Sequence, residues 1–319
     1  MARVLGYTHP ACLGHDTGEG HPECPERLGA VLEAVHEAFP ELEWIEAPRA
    51  TRGQLLRVHD DRLLAAVLTP PVRGTTRLDP DTILSPGSPE AALRAVGAGI
   101  AATEAVMHGE ADAAFCAVRP PGHHATADTA MGFCLFDNIA VAAAHALERF
   151  GLARVAIVDF DVHHGNGTQA IFEQDPRVLY LSSHQSGIFP WSGAGSERGA
   201  GNIVNLPLAA GSGSEAFRKV WREQLLPALD AFAPQLLYVS AGFDGDRRDP
   251  LAQLQLDPAD FGWLTDELGL LAARHASGRI VSMLEGGYAL QALREGAVAH
   301  VSALLAGGPQ EPSVDNPAS

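Results

Sequence analysis

The chain has 319 residues, 46% of them hydrophobic, which is enough to bury a large core in one α/β domain. Its 22 basic and 39 acidic side chains leave a formal net charge of −17 and a pI near 5.1. This acidity argues against a nucleic-acid-binding function, because such proteins neutralise phosphates with Lys and Arg. It suits a cationic substrate, and it equally suits a protein that is acidic only for solubility.

The predicted elements alternate between helices and short apolar strands, as βαβ units require. In chain order they are a helix near Glu26–Phe39, a helix over Ser88–Met107, a strand over Ala113–Val118, a helix over Asn138–Phe150, a strand over Val155–Val158, a helix over Ser214–Phe232, a strand from Leu236, a helix over Pro258–Ala276, a strand over Ile280–Leu284 and a helix over Leu290–Leu305. Strands that are apolar throughout are typical of a parallel sheet covered by helices. The sequence therefore predicts the α/β class.

Four long stretches between these elements have no helix or strand pattern. They are Gly6–Cys24, Pro70–Gly87, His184–Asn202 and Gly245–Leu256. Irregular stretches longer than ~12 to 15 residues are usually functional. We expect these four to form the rim of a pocket, and surface padding is the alternative.

The organisation of the chain predicts one domain in a reducing compartment. No change of composition marks a linker, so we expect a single catalytic domain over residues 1–306 and a flexible tail over residues 307–319, where Pro, Gly, Ser and acidic residues dominate. No signal peptide is evident, and no charge-free apolar run reaches the ~18 residues of a membrane span. The cysteines, without Cys-x-x-Cys spacing, are typical of a cytoplasmic protein that contacts no membrane. They are Cys12, Cys24, Cys116 and Cys134.

Metal-binding or proton-transferring residues follow four of the predicted strands. The strands run into the segments Arg119–His124, Asp159–Gly165, Gly242–Asp244 and Glu285–Tyr288. In parallel sheets, ligands bind beyond the carboxyl ends of the strands. We therefore expect the four segments to form one site.

Asp161, His163 and Asp244 are the candidate metal ligands. Asp161 and His163 are two residues apart, so their side chains point the same way in an extended chain, and Asp244 enters from a neighbouring strand. Two carboxylates and one imidazole leave an open coordination position, which is typical of a catalytic zinc site. The mixed oxygen and nitrogen donors favour Zn²⁺ and would also accept Fe²⁺ or Mn²⁺.

His123 and His124 are adjacent and cannot both bind the same ion without contortion, so we assign them to proton transfer. Asp159 is positioned to orient one of the two rings. A carboxamide such as that of Asn166 would orient the other with less effect on its pKa. The two histidines should therefore titrate differently.

Tyr288 is the candidate oxyanion donor. It follows two glycines, whose permissive backbone allows a tight turn that brings the phenol toward the metal. A preorganised donor of this kind contributes roughly 3 to 4 kcal/mol in the transition state.

Several strings of the sequence resemble those of the zinc-dependent histone deacetylase family. They are Arg119–Ala125, Gly132–Cys134, Asp159–Gln169, Ser240–Asp244 and Glu285–Tyr288, within a match that runs in order from His21 to Tyr288. The resemblance implies the arginase/deacetylase fold, a three-layer α/β/α sandwich with a mainly parallel sheet. It also implies hydrolysis of an N-acyl amide, typically N-ε-acetyl-lysine, with release of acetate.

The resemblance also implies roles for individual residues. Zinc, one ion per chain, would lie on Asp161, His163 and Asp244. His124 would be the main general base and acid, His123 its electrostatic partner and Tyr288 the donor to the carbonyl. Phe133, beside Gly132, and Phe189 would wall a narrow tunnel, which suits the apolar four-methylene stem of lysine.

Further roles follow from the same resemblance. Asp81 falls where the family holds the substrate backbone amide, and Arg27 where it places an arginine that assists acetate release; a helix-surface arginine is the alternative. A structural K⁺ would be bound by backbone carbonyls and a serine, here among the residues Asp159, Asp161, His163, Ser182 and Ser183.

Two residues differ from other branches of the family. Asn166 stands where one branch of the family has aspartate, so the chain resembles the class II bacterial deacetylase and acetylpolyamine amidohydrolase type. Leu251 stands where a polyamine-selective branch has glutamate, which favours an acylated lysine peptide. Glu19 and Glu23 could supply a charge at the pocket mouth, so a small acylated amine such as an acetylpolyamine stays open.

Two other functions would use the same fold. A dinuclear ureohydrolase needs another acid after the Asp-x-His string, where this chain has Gly165, although Asp244 and Asp246 resemble its paired carboxylates. A binding module or scaffold without turnover should lack a ligand or the tyrosine, and this chain lacks neither. Homo-oligomerisation is left open by the sequence.

Overall fold

The computed structural model describes residues 2–307, and the predicted tail from residue 308 onward lies outside the described residues. The strands are β1 (Val4–Thr8), β2 (Glu43–Glu46), β3 (Thr76–Arg77), β4 (Ile83–Leu84), β5 (Ala113–Cys116), β6 (Val155–Asp159), β7 (Val178–Gln185), β8 (Ile203–Leu208), β9 (Leu236–Ala241) and β10 (Ile280–Leu284). The helices are α1 (Pro25–Ala38), α2 (Arg52–Leu55), α3 (Asp61–Leu68), α4 (Ser88–His108), α5 (Asn138–Phe150), α6 (Asn166–Phe172), α7 (Ser214–Val220), α8 (Leu226–Phe232), α9 (Pro258–His275) and α10 (Leu290–Ala306).

Eight strands form one parallel sheet in the order β2-β1-β5-β10-β9-β6-β7-β8. The remaining two, β3 and β4, make a small antiparallel pair. The four strands that the sequence predicts, β5, β10, β9 and β6, are consecutive neighbours in the middle of the sheet. Their carboxyl ends, with the polar segments that follow, therefore meet at the centre of one edge.

Helices cover both faces of the sheet. Tyr238 in β9 is in register with Val281 in β10, and its hydroxyl lies 2.7 Å from the Thr103 hydroxyl of α4. The next residue of β10, Ser282, points to the other face, where its hydroxyl lies 2.7 Å from Nε2 of His300 in α10. Both faces are thus covered, which confirms the α/β prediction and the three-layer sandwich.

The sequence-based assignment of elements is wrong in several places: the stretch Pro70–Gly87, predicted as irregular, contains β3 and β4, and the helices α2, α3 and α6 were not assigned. The stretches Gly6–Cys24 and His184–Asn202, predicted as irregular, begin inside β1 and β7. In β7, the residues Ser182 to Gln185 are polar although they are buried, so the apolar pattern of a buried strand is missing there. The strands β2 and β8 were missed as well, because both lie at sheet edges, where β2 is exposed or half-buried throughout and β8 mixes buried with more exposed positions.

The helix boundaries follow the sequence signals closely. Pro89 lies in the first turn of α4 and Gly109 ends it with a left-handed φ of 73°. The predicted helix over Ser214–Phe232 is present, but a π-helical segment, Trp221–Leu225, joins α7 and α8. None of the helices within residues 2–307 is long and apolar enough to cross a membrane.

Candidate active site

Three side chains at the carboxyl ends of β6 and β9 form a compact cluster. Asp161, His163 and Asp244 each place one donor atom within 4.8 Å of the other two. His163 Nδ1 lies 3.2 Å from Asp161 Oδ1 and 3.1 Å from Asp244 Oδ2, and all three residues are buried. Two carboxylates and an imidazole in this arrangement can serve as a donor set for a divalent cation.

Backbone groups fix the orientation of the two carboxylates. The Gly286 amide donates to Asp161 Oδ2 and the Val162 amide donates to Asp244 Oδ1, each at 2.8 Å. A Cβ at Gly242 would lie 2.0 Å from Asp161 Oδ2, and one at Gly286 would lie 2.1 Å from Asp244 Oδ2. Only glycine fits at these two positions, which explains why glycines stand beside the cluster.

The partner of His124 determines which nitrogen carries its proton. Nδ1 of His124 lies 2.8 Å from Asn166 Oδ1, while the Asn166 amide nitrogen donates to the His124 carbonyl and to Met131 Sδ. Because the amide nitrogen faces two acceptors, its oxygen faces the ring, and Nδ1 must donate. Nε2 of His124 is therefore left with a lone pair that can accept a proton.

His123 has a carboxylate partner instead. Its Nδ1 lies 3.0 Å from Asp159 Oδ2, which also accepts a hydrogen bond from the Tyr180 hydroxyl at 2.9 Å. Burial alone would lower the pKa of His123, but Asp159 and Asp161 outweigh it and raise the pKa well above its ordinary value. Burial and the charge of His123 lower the pKa of His124 well below its ordinary value. The pKa values of the two rings are thus shifted in opposite directions.

Tyr288 faces the pocket from the turn after β10. Gly287 has a φ of 122°, and Asp249 Oδ2 accepts a hydrogen bond from the Tyr288 amide at 2.7 Å. The Tyr288 ring meets the Phe133 ring edge to face at 5.7 Å, and the Arg27 guanidinium lies 4.8 Å from its centre. Burial raises the pKa of Tyr288 well above its ordinary value, although Arg27 opposes this shift, so the phenol keeps its proton.

A narrow pocket of about 220 Å³ leads to these groups. Its lining residues are Asp81, His124, Gly132, Phe133, His163, Ile188, Phe189, Leu251 and Tyr288. The predicted substrate-binding residues thus surround one opening. A Cβ at Gly132 would lie 2.6 Å from the His124 ring and 2.8 Å from the Phe189 ring, so this position requires glycine.

The pocket rim comes from the long stretches between elements, as the sequence predicts. Three of them supply lining residues, namely Asp81, Ile188 with Phe189, and Leu251. From the fourth, the His21 ring packs edge to face on Phe133 at 4.8 Å. Nε2 of His21 also lies 3.0 Å from the Asp81 carbonyl, which connects two of the rim segments.

Arg27 is buried, so the alternative of a helix-surface arginine is wrong. Its Nε donates to the Gly287 carbonyl at 2.6 Å, and a terminal nitrogen donates to the Glu285 carbonyl. These contacts place the guanidinium directly below Tyr288. Its role in acetate release stays a prediction.

Glu23 does not lie at the pocket mouth, where the sequence analysis placed it as a candidate charge. Its carboxylate is fully buried and pairs with Arg119 at 2.6 Å and with Arg27 at 3.0 Å. Glu19 is exposed in the same segment. Burial alone would raise the pKa of Glu23, but Arg119, His15 and Arg27 outweigh it and lower the pKa to about 2.

Glu23→Gln should destabilise the fold by about 3 kcal/mol, because it leaves two buried guanidinium groups without their counter-charge. The contribution of the Glu23 carboxylate to the free energy of unfolding should be complete above pH 4.5 and disappear as the pH falls toward 2. The reason is that the pKa of Glu23 is lower in the folded state than in the unfolded chain. Urea unfolding at several pH values would measure both effects. An exposed-site control, Glu19→Gln, should unfold like the wild type, and an equally stable Glu23→Gln would contradict the role of this network.

Three of the predicted potassium residues, Asp159, Ser182 and Ser183, lie on the neighbouring strands β6 and β7, and the other two, Asp161 and His163, follow β6. Asp159 at the end of β6 is in register with Ser182 in β7. The Ser182 hydroxyl lies 2.9 Å from His184 Nδ1, and the Ser183 hydroxyl accepts a hydrogen bond from Trp221. Occupancy by K⁺ stays a prediction.

Three residues that support the site were not found from the sequence. Glu285 Oε2 accepts a hydrogen bond from the Gly122 amide at 2.7 Å, just before the histidine pair. Tyr180 orients Asp159, and Asp249 holds the Tyr288 backbone. Each acts across many residues of sequence, so no local pattern indicates its role. The one available signal was an acidic residue, Glu285, directly after an apolar strand.

The geometry disfavours a second metal ion beside the first. A Cβ at Gly165 would lie 2.3 Å from Asp159 Oδ2, so an acidic side chain has no room there. Asp246, the other candidate, is turned toward Arg248, whose Nε and terminal nitrogen each donate to it at 2.8 Å. The cluster found within residues 2–307 is the single one around Asp161.

The fold and this arrangement of groups define a hydrolytic deacetylase with the arginase/deacetylase fold. The family model described as the histone deacetylase domain matches residues 21–304. The chain belongs to the histone deacetylase family, and it sits with the bacterial, class II-like members. Two relatives and one solved structure show how similar the chain is to other members.

The chain is 45% identical over 284 residues to the histone deacetylase-like amidohydrolase of Pseudomonas aeruginosa, and this match covers 88% of this chain and 74% of that protein. It is 38% identical over 313 residues to the human polyamine deacetylase HDAC10, covering 91% of this chain and 46% of that protein. The crystal structure of the HDA15 HD domain superposes with a TM-score of 0.89 at 35% identity, covering 94% of this chain and 90% of that one.

Proposed function

We propose that this deacetylase uses Zn²⁺ to remove acetyl or other acyl groups from N-ε-acyl-lysine side chains. The observation that carries the proposal is the narrow pocket, walled by Phe133 and Phe189, which ends at His124, His163 and Tyr288. An acyl-lysine has an apolar stem with a polar amide at its end. The wall suits the stem, and the polar groups suit the amide.

The metal proposal rests on the donor set of this chain. The three donor groups of Asp161, His163 and Asp244 lie close together. Within residues 2–307, none of them accepts a hydrogen bond from a lysine or arginine side chain. Two buried carboxylates 3.1 to 3.2 Å from one imidazole suit a divalent cation. A bound Zn²⁺ supplies Lewis acidity that polarises the amide carbonyl and lowers the pKa of water. Fe²⁺ fits the same donors.

In this proposal His124 transfers the proton, while His123 and Tyr288 stabilise the developing negative charge. His124 Nε2 takes a proton from the attacking water, because Asn166 keeps the proton of Nδ1 in place. His123, held by Asp159, provides a positive charge beside the developing oxyanion. The Tyr288 hydroxyl donates a hydrogen bond to that oxyanion. The C–N bond then breaks, the amine leaves with the proton from His124, and acetate is the second product.

The side of the pocket formed by Leu251 favours an acyl-lysine over an acetylpolyamine. Leu251 presents an apolar side chain to the pocket. Of the two other candidates for binding a distant ammonium, Glu23 is buried against Arg119 and Arg27, and Glu19 is exposed but does not line the pocket. A small acylated amine is the second candidate, because one relative is named a polyamine deacetylase. We further propose a K⁺ on the carbonyls near Asp159 and Ser182, and a reducing, cytoplasmic location in keeping with four free cysteines.

Zinc-loaded protein should release acetate from an acetyl-lysine peptide faster than from an acetylated polyamine, because Leu251 offers no charge for a second ammonium. The measurement compares kcat/KM for an acetyl-lysine peptide, a longer acyl-lysine peptide and acetylspermidine under one condition. Leu251→Glu is the matched variant and should shift the preference toward acetylspermidine. A wild-type preference for the polyamine would overturn the substrate assignment, and hydrolysis of none of the three would overturn the proposal.

A further inference from the structure

Trp191 is an exposed aromatic residue at the edge of the pocket. Its side chain is 77% exposed, and its ring lies 5.7 Å from the Phe189 ring, which lines the pocket. The other large hydrophobic residues exposed within residues 2–307 are aliphatic. A tryptophan in such a position contributes more contact area to a bound molecule than other side chains, and Trp is enriched among residues that dominate binding.

The backbone around Trp191 is held in place from three sides. The Trp191 amide donates to the Ile188 carbonyl at 2.8 Å. The Ser192 hydroxyl lies 2.8 Å from His164 Nδ1, and His184 Nε2 lies 3.0 Å from the Gly193 carbonyl. Buried His164 and His184 therefore anchor the segment that carries the indole.

Trp191 also has an unusual backbone conformation. Its φ is 56°, in the left-handed region that bulky side chains avoid. Such conformations persist where the surrounding structure imposes them, and they concentrate at ligand-binding sites. The anchored backbone and this conformation together fix the point from which the indole extends into solvent.

The size of the pocket indicates what the indole contacts. A volume of about 220 Å³ is below the ~300 to 1,000 Å³ usual for sites that enclose a whole small molecule. A pocket of this size suits the slender acylated end of a peptide substrate, and the remainder of such a peptide would lie outside, against the rim. Trp191 offers the exposed apolar surface at that rim beside Phe189.

We propose that Trp191 is a specificity-determining residue that packs against the peptide flanking an acyl-lysine, outside the pocket. This inference rests on the proposed function. It predicts a preference for an acyl-lysine within a peptide over the same acylated stem alone. The ring contributes to binding of the flanking residues and leaves the reacting groups untouched, because it does not line the pocket.

Trp191→Ala should raise KM about tenfold for a hexapeptide with a central acetyl-lysine, with kcat unchanged. It should leave kcat/KM for N-butylacetamide, which has only the acylated four-carbon stem, as in the wild type. Trp191→Phe should restore most of the peptide affinity, because it retains an aromatic face. Leu56→Ala, at another exposed hydrophobic residue that does not line the pocket, is the control and should change neither substrate.

Each other outcome overturns the inference in a distinguishable way. Equal losses on both substrates would show that Trp191 acts through Phe189 on the pocket itself. A Trp191→Ala variant with unchanged peptide kinetics and a lower molecular mass in solution would assign the ring to self-association. If the wild type hydrolyses N-butylacetamide but Trp191→Ala leaves the peptide KM unchanged, the inference alone fails. A wild type that hydrolyses neither substrate overturns the proposed function and this inference with it.

Discussion

Tyr288→Phe should lower kcat by about two orders of magnitude or more, while the Tm stays near that of the wild type. The phenol is the side-chain donor that faces the pocket beside His163, and one oxyanion donor contributes roughly 3 to 4 kcal/mol to the transition state. The fold should be little affected, because within residues 2–307 the Tyr288 hydroxyl has no hydrogen-bond partner. Steady-state kinetics on an acetyl-lysine peptide, with a thermal melt of each variant, test both statements.

A matched control is available in Tyr7, a buried tyrosine of β1 that does not line the pocket. Tyr7→Phe removes the same hydroxyl from a different place and should keep wild-type kcat. Full activity in Tyr288→Phe would remove this residue from the mechanism. A loss that appeared only in KM would make the hydroxyl a substrate-binding group, since an interaction made only in the transition state lowers kcat.

Asp161→Ala should remove both the bound metal and the activity. Asp161 supplies one of three donor groups, and its loss leaves one carboxylate and one imidazole, which is too few for a stable catalytic site. We expect about one metal ion per wild-type chain, near zero in the variant, and a rate lower by about two orders of magnitude or more. Elemental analysis of dialysed protein alongside kinetics measures both.

Asp246→Asn is the matched control, because Asp246 is also buried near β9 but is paired with Arg248. It should keep one ion and most of the activity. Two ions per wild-type chain, with one lost in Asp246→Asn, would instead support the dinuclear hydrolase. Full metal content in Asp161→Ala would contradict the assignment of the ligands.

The central part of the fold was predictable from local patterns alone. The strands β5, β6, β9 and β10 are buried on both faces, so their sequences are apolar throughout and easily recognised. The strands β1, β2, β7 and β8 were not assigned. The strand β2 is not apolar because it is an exposed edge. The strand β7 is not apolar at its end because it buries polar residues there, whose partners come from distant segments.

The pairing of the catalytic groups needed the tertiary structure. The sequence predicts that one histidine has a carboxylate partner and the other a carboxamide partner, but not which. His123 takes Asp159 and His124 takes Asn166, although the two rings lie only 4.0 Å apart with their planes tilted by 45°. That pairing leaves the free Nε2 lone pair on His124, the ring that the family resemblance implies as the general base.

The sequence by itself determined which chemical groups are present and in what order along the chain. Asp161, His163, Asp244 and Tyr288 follow strands of one parallel sheet, and strand ends at a common edge place them together whatever the remaining packing. Only the tertiary structure decided the burial of Glu23 and Arg27 and the exposure of Trp191. Burial depends on which distant segments cover a side chain, and neither hydrophobic periodicity nor motif spacing contains that information.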